Sequence, residues 1–109
     1  MPFLKVKEGP SKGTEIRLRN EAVKIGRSRA CQIRIAGDRI SRDHAQIEPA
    51  DGGFVLSDLK SSNGTFVNGE RISEKLLKPG DEVRIGITSF RIEEISDDVE
   101  GTTETQALL

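Results

Sequence analysis

Apolar residues in this chain recur at every second position in short runs, and a turn signal follows almost every run. The runs are Phe3 to Val6, Ile16 and Leu18, Val23 and Ile25, Ile33 and Ile35, Ala45 and Ile47, Phe54 and Leu56, Val83 and Ile85, and Phe90 and Ile92. Among them stand Gly9-Pro10-Ser11-Lys12-Gly13, Ala36-Gly37-Asp38, Asp51-Gly52-Gly53, Asn63-Gly64, Asn68-Gly69 and Pro79-Gly80-Asp81. A period of two turns one face of each run toward a core and the other toward water, which marks a half-buried strand. No segment keeps a helical apolar period for long, so any helix is a turn or two at most. Many short strands joined by Gly-rich turns pack as a sandwich or a barrel.

A chain of 109 residues holds one such domain. With no Trp or Tyr and only four Phe, its core is built from Ile, Leu and Val. The single Cys31 cannot pair within the chain, which removes a disulfide framework and fits a reducing, cytoplasmic compartment. No apolar run reaches the length of a membrane span, and the first residues lack the pattern of a signal peptide. The net charge of −1 is unevenly spread. Residues 96–109 carry Asp97, Asp98, Glu100 and Glu104 with no Lys or Arg, so residues 1–95 are net basic. Arg27, Arg29, Arg34, Arg39 and Arg42 fall within sixteen residues. The strand pattern ends near Ile95, and the reading divides the chain into a domain at 1–95 and an acidic, Thr-rich tail or linker at 96–109.

The chemistry lies in the turns, where a rigid β scaffold holds its binding groups. Ile25-Gly26-Arg27-Ser28 closes one strand, and Arg39-Ile40-Ser41-Arg42-Asp43-His44 leads into another. The third stretch is Leu59-Lys60-Ser61-Ser62-Asn63-Gly64-Thr65, followed by Asn68-Gly69. Together they supply forked cations, small hydroxyls and an amide, and no nucleophile beside a base. Such a set suits an oxyanion, because a guanidinium gives two parallel hydrogen bonds to phosphate oxygens. An Asn amide donates and accepts at once, so it can fix the register of a peptide backbone.

The order and spacing of these stretches resemble the forkhead-associated (FHA) family of phosphothreonine-binding domains. The resemblance runs from about residue 3 to residue 95 and includes the Lys78-Pro79-Gly80-Asp81 turn. It implies an all-β, eleven-stranded sandwich with its binding loops at one end. It also implies that Arg27 and Ser41 contact the phosphate, joined by Arg42 and Ser62, and that Asn63 bonds the peptide main chain. By the same resemblance Arg39 reads the third residue after the phosphothreonine, where an Arg favours an acidic side chain and polar or aliphatic ones stay open. Asn68 adds a second backbone contact or serves its turn alone. Gly26, His44, Gly64 and Thr65 support the site structurally, so the lone His44 is neither catalytic nor a metal ligand.

The function expected is phosphothreonine-dependent recruitment of partners marked by a Ser/Thr kinase, by a monomer with no catalysis, cofactor or metal of its own. Phosphorylated Thr102, Thr103 or Thr105 in the tail would be an internal ligand for the same site. Two other classes compete. A phosphate-independent interaction domain would use the sheet faces and leave the Arg27, Ser41 and Asn63 set idle. A nucleic-acid-binding barrel would use the Arg cluster but needs stacking aromatics, and this sequence has no Trp or Tyr and most of its Phe in strand alternation. Neither nucleic acid nor membrane is therefore the expected partner.

Overall fold

The computed structural model describes residues 2–94, which form eleven strands and no helix. In chain order these are β1 (Pro2–Glu8), β2 (Glu15–Arg17), β3 (Val23–Gly26), β4 (Ile33–Arg34), β5 (Ala45–Ala50) and β6 (Gly53–Asp58). There follow β7 (Thr65–Val67), β8 (Glu70–Ile72), β9 (Glu74–Leu77), β10 (Glu82–Ile85) and β11 (Thr88–Glu94). One sheet has the order β2-β1-β11-β10-β7-β8 and the other β4-β3-β5-β6-β9. The all-β sandwich expected from the sequence is the fold found. The boundary at residue 95 and the tail at 96–109 lie outside the described residues. Among the described residues no helix is long and apolar enough to cross a membrane.

The two inner faces meet in one core. In the first sheet Leu4 pairs with Ile92 and Val6 with Phe90; in the second Ile25 pairs with Ala45 and Ile47 with Leu56. Each of these eight residues is 3% exposed or less. Full burial of each large side chain stabilises the sandwich by about 1.5–3 kcal/mol relative to exposure. As expected, Ile, Leu and Val dominate the core, with Phe90 the one aromatic ring fully inside. Ile40 joins that core from a loop rather than from a strand.

Register decides which loops share an end. Ile25 of β3 pairs with Ala45 of β5, and Ala45 pairs with Asp58 of β6, so the end of β3, the start of β5 and the end of β6 coincide. β4 runs parallel to β3, bringing residues 35–44 off the same edge. The loops at 27–32, 35–44 and 59–64 therefore crowd one end of the sandwich. The Asn68-Gly69 turn lies beyond the other end of β7. There Asn68 at φ 52° and Gly69 at φ 87° form a two-residue left-handed turn, the type that matches strand twist in a tight hairpin.

Candidate anion-binding site

Gly26 joins the first two sequence stretches into one piece. A Cβ at this position would stand 2.1 Å from the carbonyl oxygen of Arg42 and 3.0 Å from the amide of His44. Only glycine lets the 35–44 loop lie directly on the end of β3. The contact is then stitched by backbone bonds: Arg27 N–H to Ser41 O (3.1 Å), Ser28 N–H to Arg42 O (3.1 Å) and His44 N–H to Ile25 O (2.9 Å).

This stitching sets Arg27 beside Ser41. The Arg27 side chain is exposed, yet its Nε donates to Ile40 O at 2.6 Å, and Ile40 is itself anchored in the core. The tether fixes the guanidinium plane and leaves the terminal N–H groups for a ligand. Ser41 Oγ accepts the amide of Ser62 at 3.1 Å, so its hydroxyl proton stays available to an incoming oxyanion.

His44 and Asp58 hold the third stretch against the second. His44 is fully buried, accepts the Ser41 N–H on Nδ1 (3.0 Å) and lies 2.8 Å from Gly64 O through Nε2. An amide can only donate, so Nδ1 carries no proton, and the neutral ring donates from Nε2 to Gly64 O. Asp58 collects the Ser61 amide (3.1 Å), the Ser61 hydroxyl (2.5 Å) and the Thr65 hydroxyl (2.7 Å), and Ser61 Oγ in turn accepts the Gly64 amide (3.0 Å). Burial alone would push the Asp58 carboxyl up. The bonds from Ser61 and Thr65 outweigh burial and hold it below its ordinary value. Gly64, at φ 91°, adds a second glycine requirement, since the Arg71 side chain lies across it.

Arg27, Ser41, Arg42, Ser62 and Asn63 surround one depression of about 280 Å³, whose wall is completed by Asp38 and Ile40. Asn63 is exposed, with one long amide bond, 3.4 Å, to Arg39 O. Its Oδ1 is free to accept a further bond. Arg39 stands outside this lining, and its carbonyl accepts the Asn63 amide. Asn68 is not part of the cluster. Its Nδ2 donates to Asp81 Oδ1 (3.0 Å) and its Oδ1 accepts the Glu82 amide (3.0 Å), so both ends of the amide brace the hairpin. A separate cleft, bordered by Val6, Ile16, Ile33 and Phe90 together with Ser11, Thr14, Gln32, Arg34 and Thr88, brings one arginine where the first depression brings two.

Sequence reasoning missed Asp58, Ile40 and Arg71. Asp58 had a readable signal, an Asp three residues before a Ser, the spacing of a local side-chain to backbone cap. Ile40 reads as one apolar residue in a polar loop, and only the fold reveals it as the loop's anchor. Cys31 is buried, and burial together with the nearby Asp43 carboxylate raises its pKa, which keeps the thiol protonated and unreactive. Among the described residues no cluster of three or more His, Cys, Asp or Glu is placed to hold a metal.

The sequence model of the FHA domain family matches residues 23–86, from the start of β3 past the end of β10. An oxoglutarate dehydrogenase inhibitor of Corynebacterium diphtheriae is 39% identical over 90 residues, covering 83% of this chain and 62% of that protein. The chain thus spans about three fifths of that relative. Among solved structures, one from a structural and functional analysis of phosphothreonine-dependent FHA domain interactions superposes with a TM-score of 0.76. Its identity is 29%, over 86% of this chain and 98% of the other. Mycobacterium tuberculosis EmbR in complex with a low-affinity phosphopeptide gives a TM-score of 0.76 and 34% identity, covering 84% of this chain and 24% of that one.

Proposed function

The chain belongs to the FHA domain family, and from that premise we propose that it binds protein segments carrying phosphothreonine, recruiting them after a Ser/Thr kinase has acted. FHA domains are interaction modules, and the reading assigns this chain no catalysis of its own. The observation that carries it is the convergence of Arg27, Ser41, Arg42, Ser62 and Asn63 on one hollow, with the donors tethered in advance.

In this reading the terminal N–H groups of Arg27 fork onto two phosphate oxygens, and the Ser41 hydroxyl donates to a third. Arg42 and the Ser62 hydroxyl close the cage, and Asn63 bonds the main chain beside the phosphothreonine. Arg39, at the rim, selects an acidic residue three positions on. The donors are positioned before the ligand arrives, so little ordering opposes binding. An unphosphorylated peptide offers them no anion, which makes the phosphate the switch. The domain needed is residues 1–95, with 96–109 serving as tail or linker. Phosphorylated Thr102, Thr103 or Thr105 would enter the same site as any other ligand, within one chain or between two monomers.

The test is calorimetric titration with a degenerate phosphothreonine peptide library, with phosphoserine and unphosphorylated controls. Arg27→Ala removes at least one charge-assisted bond, so it should weaken binding by about tenfold to a hundredfold or more. Equal affinity for phosphorylated and unphosphorylated peptides would remove the reading.

A further inference from the structure

Arg29 and Arg34, two of the five clustered arginines, have no place in the site described above. Their surroundings differ. Arg34 donates from Nε to Arg27 O (3.0 Å) and borders a hollow that also contains the Asp38 carboxylate. Arg29 borders a hollow of about 310 Å³ lined by Arg27, Ser28, Arg29 and Arg42, with no carboxylate in its wall. The ion pairs Lys24–Asp43, Arg84–Glu8 and Arg91–Glu82 include none of Arg27, Arg29 and Arg42.

We infer that this second hollow holds a second phosphoryl group of the same bound segment, so that the domain prefers doubly phosphorylated ligands. The inference rests on the phosphopeptide reading above. The two hollows share Arg27 and Arg42 as a common wall, which puts both anions within reach of one extended peptide. Ser28 repeats the arrangement of Ser41. Its Oγ accepts a backbone amide, that of Ala30 at 3.1 Å, and its proton is left to donate. The turn that carries it is fixed on both sides, by Ser28 N–H to Arg42 O and by Cys31 N–H to Ser28 O, each 3.1 Å.

Charge points the same way. Asp38, the carboxylate beside these three guanidiniums, lies in the wall of the first hollow and not of the second, so the charged groups lining the second hollow are all positive. A phosphoryl group fits better than a carboxylate, because its three oxygens can take bonds from two arginines and a hydroxyl at once and it carries nearly twice the charge. Once the first phosphate is seated, the second binds intramolecularly and gains from effective concentration.

The full 109-residue chain should be titrated with peptides of one fixed phosphothreonine and a second phosphothreonine, Glu or Ala at each of three positions on either side. At one or more spacings the second phosphate should improve affinity by about tenfold, the scale of a charge-assisted bond. Arg29→Ala, a change at an exposed side chain, should erase that gain and leave affinity for the singly phosphorylated peptide within about twofold. Arg29→Lys, which keeps the charge and loses the fork, should retain part of it. The inference is overturned if no spacing gives a gain, if the gain survives Arg29→Ala, or if Glu gives the same gain as phosphate. Failure of wild type to bind the singly phosphorylated peptide would instead refute the reading on which it rests.

Discussion

Gly26 and the two Asn-Gly pairs separate residues that look alike in sequence. Gly26→Ala would drive a methyl group into the Arg42 carbonyl, 2.1 Å from where its Cβ must go, and backbone cannot yield as a side chain can. It should cost about 1–3 kcal/mol or more of stability in denaturant unfolding and remove phosphopeptide binding, because Ser41 and Arg42 shift together. Retention of both stability and binding would mean that the loop is free to move away. Asn63→Ala should leave stability within about 0.5 kcal/mol, since the side chain is exposed with one long bond, and should weaken binding. Asn68→Ala should do the reverse. It breaks two bonds and puts Ala at φ 52°, which costs about 1–3 kcal/mol with peptide affinity unchanged. The sequence treats the two Asn as near equivalents, because Asn-Gly signals a turn either way. What distinguishes them is register: Asn63 precedes β7 and Asn68 follows it, so they stand at opposite ends of a three-residue strand.

Element by element, legibility follows strand length and burial contrast. The eight runs with period-two alternation all correspond to strands, because their inner residues are buried and their outer ones exposed. The strands β7, β8 and β9 carry no such run. β8 is Glu-Arg-Ile and β9 is Glu-Lys-Leu-Leu, edge strands with mostly exposed side chains, where two or three residues cannot establish a period. Only the resemblance to a family of known strand number supplies them. The site was more legible than its support. Arg27, Ser41 and Asn63 announce their chemistry, whereas Asp58 works on groups that are local in sequence but buried by the fold. Asp58→Ala should strand the Ser61 amide and the fully buried Thr65 hydroxyl, costing about 2–4 kcal/mol, and should loosen residues 59–64 in amide hydrogen exchange. Asp58→Asn keeps one acceptor and should lose less. Equal protection of these amides in wild type and Asp58→Ala would assign the loop's order to His44 alone.

Across the whole molecule, acid should act at two separate points, one on the ligand and one on the fold. A phosphate monoester dianion takes up a proton near pH 6, so between about pH 7 and 5 the free peptide goes from dianion to monoanion. Arg27 and Arg42 then face half the charge, and affinity should fall across that interval while the domain stays folded. Asp58 works lower. Its carboxyl titrates below its ordinary value in the folded protein, so the unfolded chain binds a proton first as pH falls. The stability it contributes is complete above the unfolded value, about 3.9, and is lost as pH drops further through the folded value. Peptide affinity and thermal midpoint measured over the same pH series should therefore separate, with binding failing near pH 6 and the midpoint holding until about pH 4. A midpoint that falls together with affinity would mean that the fold, and not the protonation of the phosphate, limits recognition in acid.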